Sequence, residues 1–174
     1  PVTDPTPVSV LAPKPGLVKA TIDVVTVNGS GCPVGTAAVE VAPDNTYFKV
    51  RYSEYIAQVG PQAAATDARR NCQLNLKVHV PAGLTFAINQ TDYRGYALLA
   101  KGATAIERAN YYFQGMSATQ SVSHNFTGPM DDNWQTTDTV GIASLSWSPC
   151  GDMRNLNVNT ELRAAKGTSS SEET

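Results

Sequence analysis

The two histidines of the chain limit the nucleophilic chemistry that it could perform. A Ser-His-Asp or Cys-His arrangement would have to use His79 or His124 as its base. His79 falls on the polar side of an alternating segment, and His124 lies in the polar run SVSHNFTG. The chain has no G-x-S-x-G motif. We therefore interpret both histidines as surface or hydrogen-bonded side chains, and the sequence identifies no catalytic residue.

Paired carboxylates would support a different chemistry, because glycoside hydrolysis needs two carboxyl groups about 5–10 Å apart in a groove. Glu54 and Asp92 are the candidates for such a secreted hydrolase. Glu107 comes directly before Arg108 in a strand-like segment, which favours a surface charge at that position. Nothing in the residue pattern brings Glu54 and Asp92 together, so hydrolysis is an alternative function rather than the main expectation.

Metal-binding patterns are weak in this chain. The three cysteines lie far apart and no H-x-x-x-H sequence occurs, which argues against zinc. Asp131 and Asp132 fall in a predicted turn, where carboxylates suit calcium, although an acidic turn is more often simply solvated. We expect no cofactor, with calcium at Asp131 and Asp132 as the alternative.

Three aromatic residues are candidates for ligand binding. Tyr93 and Tyr96 flank Arg94, and Trp134 lies in the polar stretch DDNWQ, which we interpret as a loop. Exposed rings on a β-sandwich can stack against sugars. The alternative is that Trp134 folds over a sheet edge and plugs it.

Charge and composition exclude several classes of partner. The formal net charge is −2 and only 16% of residues are charged, without the basic excess of nucleic-acid-binding proteins. No phosphate-binding glycine motif occurs, and no apolar run is long enough to span a membrane. An extracellular polymer or a cell surface is the expected partner, and no oligomeric state is indicated.

Elements that could position these residues are predicted to be strands. In the segment CQLNLKVHV, apolar residues from Cys72 to Val80 alternate with polar ones, which places one face in a core. Many short strands with Gly and Pro turns predict an all-β antiparallel sandwich, jelly-roll-like, with one short helix candidate at 62–70. Further strands are predicted at 18–27, 37–41, 48–52, 85–99, 104–113, 119–126, 137–147 and 156–163.

The chain ends are expected to lie outside this sandwich. Residues 1–16 hold five of the 11 prolines, and we predict an extended arm there that does not enter a central strand. The sandwich domain is expected at 17–165, and 166–174 is predicted to be a flexible polar tail.

Asn-x-Ser/Thr triplets at Asn28, Asn89 and Asn125 are candidate glycosylation sites and favour a secreted protein. Cysteines in that setting are expected to form disulfides, and we pair Cys32 with Cys72. That leaves Cys150 unpaired, which is unusual for a secreted chain.

A series of longer blocks resembles a known family. The blocks are GSGCPVGTAAV, YSEYIAQVGP, RRNCQLNLKVHVPAG, TFAI, DYRGYALL, YYFQG and SPCGDMRNLNVNTELR. Together they resemble the DUF4360 proteins of fungi and some bacteria. The resemblance implies secretion after a signal peptide and a fourth cysteine near a longer C-terminus, which would be the partner of Cys150. It implies no activity.

We therefore predict a secreted, disulfide-stapled binding or structural protein that is not an enzyme and that recognises carbohydrate or cell-wall polymer through Tyr93, Tyr96 and Trp134. The carboxylate hydrolase is one alternative. An extracellular interaction protein, such as a protease inhibitor or effector with a rigid loop at 60–70, is the other.

Overall fold

Ten strands and one short 3-10 helix make up the described part of the chain. The computed structural model describes residues 6–10, 21–44, 46–140, 147–150 and 153–170, with the backbone alone at 6–10. The strands are β1 Thr6–Val10, β2 Thr21–Asn28, β3 Ala37–Val41, β4 Tyr47–Tyr52, β5 Arg69–His79, β6 Ile88–Leu99, β7 Thr104–Phe113, β8 Thr119–Thr127, β9 Met130–Thr139 and β10 Leu156–Ala165. The 3-10 helix is Ala65–Ala68.

The strands form two five-stranded antiparallel sheets that pack face to face. Sheet A has the order β3-β4-β1-β6-β9, and sheet B has the order β2-β5-β10-β7-β8. From β1 to β3 and again from β4 to β7, consecutive strands alternate between the sheets, with the β3–β4 hairpin between these two runs. After the β7–β8 hairpin, β9 and β10 alternate again. This alternation is the jelly-roll pattern, so the predicted all-β antiparallel sandwich is confirmed.

Strand β5 shows how the sequence specifies the core. Cys72, Leu74, Leu76 and Val78 are 1%, 1%, 0% and 3% exposed, while the intervening polar residues point away from sheet A. Since successive side chains of a strand face opposite sides, this alternation buries one face and leaves the other in water. The predicted period-two register is confirmed.

A disulfide closes the segment between β2 and β5. Cys32 and Cys72 are bridged, with their Cα atoms 5.5 Å apart, and both are buried. The backbone supports the bridge, because Gly31 N donates a hydrogen bond to Asn71 O at 2.8 Å. The predicted pairing is confirmed, and it fixes the chain that leads from sheet B into β3.

Strand β9 corrects the prediction of a turn and a loop around residues 131–135. The acidic and amide residues there suggested a turn, but Met130–Thr139 pairs along its whole length with β6. The misreading has a physical cause: an edge strand with a solvated outer face carries many polar residues. The strand predicted at 137–147 is therefore shifted. Its first residues belong to β9, and residues 141–146 lie outside the described part.

The N-terminal segment also differs from the prediction. Residues 6–10 form β1 between β4 and β6 instead of an arm outside the sheets. Pro7 lies opposite Lys49 of β4. A strand residue directs its N–H to only one of its two neighbours, so a single proline removes at most one ladder hydrogen bond. The predicted arm residues 1–5 and 11–16 lie outside the described residues.

The segment after β10 is partly packed. Thr168 N donates to Gly102 O at 3.1 Å, and Ser169 is 8% exposed. Residues 166–170 thus fold back onto the β6–β7 turn, while 171–174 are not described. The helix candidate at 62–70 contains only the 3-10 helix Ala65–Ala68. Within the described ranges, no helix has the length and apolar character needed to cross a membrane.

Candidate functional site

A cavity of about 710 Å³ lies between the inner faces of the two sheets. Its described lining comes from β4 to β10 and from the segment that follows β4. Ile56 and Tyr96, at the rim, are 39% and 38% exposed, so the cavity opens to solvent there. Most of its inner wall is aromatic or aliphatic. The aromatic residues of the lining are Phe48, Tyr52, Tyr55, Tyr93, Tyr111, Phe126 and Trp134, with Tyr96 at the rim.

Glu107 is the buried carboxylate of this cavity. It lies on the inner face of β7 and is only 4% exposed, so the prediction of a surface charge at this position is wrong. Burial raises the pKa of Glu107 to about 7, and the nearby Asp138 charge acts in the same direction. The hydrogen bond and positive charge of His124 act against this shift. A carboxyl group in a cavity whose pKa is raised to near neutral pH is a common mark of a functional site.

His124 lies opposite Glu107 on β8 and joins the two sheets. Its Nδ1 is 2.7 Å from Glu107 Oε2, and its Nε2 is 3.0 Å from Asp138 Oδ2 of β9. Burial acts to lower the pKa of His124, but the two carboxylates outweigh it and the pKa is raised. The imidazole is therefore stabilised as a cation between two carboxylates. Of the two interpretations of His124 that the sequence left open, surface or hydrogen-bonded, the structure shows the hydrogen-bonded one.

Tyrosine hydroxyls supply the other polar groups of the wall. The hydroxyls of Tyr93 and Tyr111 are in direct contact across the two sheets. The Tyr55 hydroxyl is hydrogen-bonded to Thr160 Oγ1 at 3.0 Å. Burial is the main cause that raises the pKa of these tyrosines and of Tyr52 above the usual range. These hydroxyls therefore stay neutral around neutral pH and act as hydrogen-bonding groups.

Trp134 packs inside the sandwich rather than in a loop. It lies on β9 opposite Gly95 of β6, and a Cβ at Gly95 would be 2.7 Å from the indole ring. The ring centroid of Phe126 is 4.7 Å from that of Trp134. Glycine at position 95 therefore gives the indole its space.

The three predicted ligand-binding aromatics do not share one exposed surface. Tyr93 is 5% exposed and Trp134 is half-buried, and both face the cavity. Tyr96 points to the outer face of sheet A, where its hydroxyl contacts Asp131. The exposed stacking platform expected from the sequence is therefore corrected: two of the rings line an interior cavity and one lies at its rim.

The carboxylates proposed for hydrolysis are not brought together. Glu54 is exposed in the segment after β4. Asp92 lies on the outer face of β6, where it accepts a hydrogen bond from Thr137 Oγ1 at 2.6 Å. Of the two histidines, His79 is outside the cavity and pairs with Asp23 at 2.8 Å.

Asp131 and Asp132 are exposed neighbours on β9, and neighbouring strand residues face opposite sides. Among the described residues, no group of three or more His, Cys, Asp or Glu side chains could hold a metal ion. Calcium binding there stays a prediction without a third ligand from the described chain.

Modification sites and the third cysteine are on the surface or near it. Asn28 and Asn125 are exposed, while Asn89 is half-buried with its Oδ1 shielded from solvent. Asn28 and Asn125 are thus better placed to accept a glycan, and glycosylation stays a prediction. Cys150 is exposed and not bridged in the described structure.

Sequence reasoning missed Glu107, His124 and Asp138 as a cluster, although part of the signal was present. Glu107 is in phase with the inward residues Ala109 and Tyr111 of its strand. A charged residue on the apolar phase of a strand indicates a buried polar group. The alternation within β7 does not show that His124 and Asp138, on other strands, are the partners of Glu107.

Comparison with known proteins places the chain among secreted proteins. The sequence profile of the family described as "Domain of unknown function (DUF4360)" matches residues 18–174. An "Uncharacterized secreted protein" of Arthroderma benhamiae is 38% identical over 139 residues, which cover 80% of this chain and 57% of the relative. The chain thus spans little more than half the length of that relative. The expected extracellular localisation is confirmed.

Proposed function

This chain belongs to the DUF4360 family, and we propose that it is a secreted binding protein that holds a small, largely apolar molecule between its two sheets. The cavity of about 710 Å³ carries this proposal. Ligand sites are typically clefts of about 300–1,000 Å³ with mostly apolar walls and a few polar groups that orient the ligand. Here Glu107 and the tyrosine hydroxyls are those polar groups.

Binding fits the wall better than hydrolysis does. Glycoside hydrolysis by two carboxylates needs both groups to face the reacting bond. Among the described lining residues, Glu107 and Glu161 are the carboxylates, and Glu161 is engaged by Arg69 and Arg163. One buried carboxylate with an imidazole partner suits the orientation of a bound molecule.

Fluorescence of Trp134 provides a direct test. The Trp147→Phe variant leaves Trp134 as the only tryptophan, and it lies in the cavity wall. Titration with n-octanol should change its emission saturably and raise the melting temperature, because a ligand that binds only the folded state stabilises it.

A filled cavity is the matched comparison for this titration. Ala97→Phe adds a ring at an inward position of the lining, and Ala118→Phe adds the same ring at an exposed position outside it. Octanol should lose its effect with Ala97→Phe and keep it with Ala118→Phe. An unsaturable response, or equal responses of the two variants, would contradict the proposal.

Carbohydrate recognition is a second candidate, and the outer face of sheet B favours it. One row of amides and hydroxyls crosses all five strands of that sheet, and the register places its members side by side. The row consists of Asn28, Gln73, Asn159, Asn110 and Ser121. Adjacent strands are about 4.8 Å apart, so the row extends roughly 19 Å. Uncharged amides and hydroxyls can both donate to and accept from sugar hydroxyls.

Retention on insoluble chitin, β-glucan and cellulose would test this second candidate. Asn159→Asp places a charge at the centre of the row, and Asn133→Asp places the same charge on the outer face of sheet A. Loss of retention with Asn159→Asp alone would support the sheet B face. Loss with Tyr96→Ala alone would instead support stacking on the exposed ring at the cavity rim. No retention of the unmodified protein on any of the polymers would remove the candidate.

A further inference from the structure

We infer that the cavity selects an organic cation, an ammonium group on an apolar body, with the carboxylate of Glu107 as its counter-ion. This inference rests on the proposed binding function and adds the chemical class of the ligand. It is carried by three features of the described residues: the charge balance around Glu107, its second carboxylate oxygen, and the tyrosine side chains near it.

The cluster of Glu107, His124 and Asp138 has one more carboxylate than it has cations. Glu107 and Asp138 share the single imidazole of His124, at 2.7 Å and 3.0 Å. With all three groups ionised the cluster carries a net charge of −1. Glu107 is the buried member of the cluster, whereas His124 and Asp138 are partly exposed. A buried charge is costly unless it is paired, so the cavity offers a site for one more positive charge beside Glu107.

That charge would meet the second carboxylate oxygen of Glu107. His124 occupies Oε2, and no residue that the structure describes donates a hydrogen bond to Oε1. Glu107 is part of the cavity wall. An ammonium group in the cavity could therefore form a charge-assisted hydrogen bond to this carboxylate without displacing His124.

Tyrosine side chains lie near the same carboxylate. Four tyrosines of the wall lie close enough to Glu107 for its charge to raise their pKa values further, after the larger effect of burial. They are Tyr52, Tyr55, Tyr93 and Tyr111. Ring faces attract cations, and rings around a carboxylate are suited to an ammonium group whose remaining surface is apolar.

The cationic side chains of the lining point away from the cavity and do not repel a cationic ligand bound at Glu107. Arg94 is exposed and points to the outer face of β6. Arg163 is exposed and engages Glu161 on the outer face of β10. These two are the cationic side chains among the described lining residues, and neither points into the cavity. His124, bonded to Glu107 Oε2, is the cation next to the wall.

A proton takes the place of the cation when the cavity is empty. The pKa of Glu107 is raised to about 7, so near neutrality the carboxylate is partly protonated. An ammonium ligand favours the ionised carboxylate and must displace that proton. Its affinity should therefore rise as the pH increases through 7, until Glu107 is fully ionised.

Three probes of equal chain length separate charge from apolar binding: n-octylamine, n-octanol and n-octanoate. They are titrated at pH 8 into the Trp147→Phe protein, with Trp134 emission as the readout. An alkylamine remains protonated there, because like lysine it has a pKa of about 10.4. We expect octylamine to bind about tenfold more tightly than octanol, and octanoate to bind most weakly.

Glu107→Gln should bring the ratio of the octylamine and octanol dissociation constants close to one. Glu54→Gln, which removes an exposed carboxylate outside the cavity lining, should leave the ratio unchanged. Should Glu107→Gln fail to fold, the pH dependence of the unmodified site decides: octylamine affinity should rise between pH 6 and pH 8 while octanol affinity stays level.

The outcomes separate this inference from the proposed function. Equal affinities for octylamine and octanol, a preference that survives Glu107→Gln, or an octylamine affinity that is level with pH would each overturn the cation inference and leave the binding function standing. Absence of saturable binding by all three probes would overturn both.

Discussion

Glu107 and His124 show how two ordinary side chains become unusual through burial. On β7 and β8 they face each other on the inner side of sheet B, away from bulk water. Burial favours the neutral carboxyl of Glu107, while the carboxylates favour the charged imidazole of His124. The pKa of each residue is raised, for different reasons, and both shifts have the same consequence for stability.

The first prediction is that the protein is more stable at pH 5 than at pH 8. The folded-state pKa of Glu107, about 7, lies above its ordinary value of 4.5, so between these values the folded state binds more protons than the unfolded state. The free energy of unfolding therefore falls as the pH rises through this window. The raised pKa of His124 acts in the same direction, since its contribution is complete below 6.5 and is lost as the pH rises through its folded-state value.

Melting temperatures at pH 5 and pH 8 measure this difference. Glu107→Gln should flatten the dependence, whereas the exposed Glu54→Gln should not. The lowered pKa values of Asp44, Asp67 and Glu161 affect stability mainly below this range. A melting temperature that rises from pH 5 to pH 8 in the unmodified protein would show that Glu107 is ionised without cost.

A second prediction at this scale concerns Gly95. Its Cβ position lies 2.7 Å from the Trp134 ring, so Gly95→Ala must displace the indole. We expect a changed Trp134 emission maximum in the Trp147→Phe background and a loss of about 1–3 kcal/mol in unfolding free energy. Gly35→Ala is the control, because a Cβ there meets no atom within 4 Å and only its φ of +86° is strained. Its emission maximum should stay in place.

Strands differ in how strongly their sequences specify them. β3 and β7 have the predicted boundaries, 37–41 and 104–113, because apolar alternation and glycine or proline turns coincide there. β9 was misread because its polar outer face and acidic start look like a turn. β1 was missed because proline argues against a central strand, although the sheet tolerates the loss of one hydrogen bond.

The prediction for an element is that β5 depends on its inward face. Leu76→Ala removes a fully buried side chain and should lower the unfolding free energy by about 2–5 kcal/mol. Lys77→Ala, the outward neighbour on the same strand, should change it by no more than about 0.5 kcal/mol. Urea denaturation measures both, and equal effects would mean that β5 does not bury the face assigned to it.

At the scale of the whole molecule, the disulfide and the cavity are the two features that distinguish this sandwich. The Cys32–Cys72 bridge ties the end of β2 to β5 and spans a sequence separation of 40 residues. The cavity lies between the inner faces of the two sheets, where tyrosines and Glu107 take the place of close-packed aliphatic residues. Such a departure from an apolar core lowers stability and is typical of a binding site.

The whole-molecule prediction concerns that bridge. Replacing both Cys32 and Cys72 by serine should lower the unfolding free energy by about 4 kcal/mol, because the unfolded chain then gains the entropy of an open loop. Cys150→Ser should have little effect, since that thiol is exposed and not bridged in the described structure. Thermal unfolding of the two variants, with and without reductant, compares them. A double variant as stable as the single one would show that the bridge contributes nothing.

Local patterns were enough to establish the all-β class, most strand positions, the Cys32–Cys72 bridge and secretion. The strands depend on alternation and turn residues, which act between neighbours in the chain, while the bridge and secretion were inferred from the cysteine positions and the composition. The cluster of Glu107, His124 and Asp138 could not be found this way, because three strands must pair and two sheets must pack before these side chains meet. The same long-range register turned Tyr93 and Trp134 inward and left a cavity between them, so the site exists only in the folded molecule.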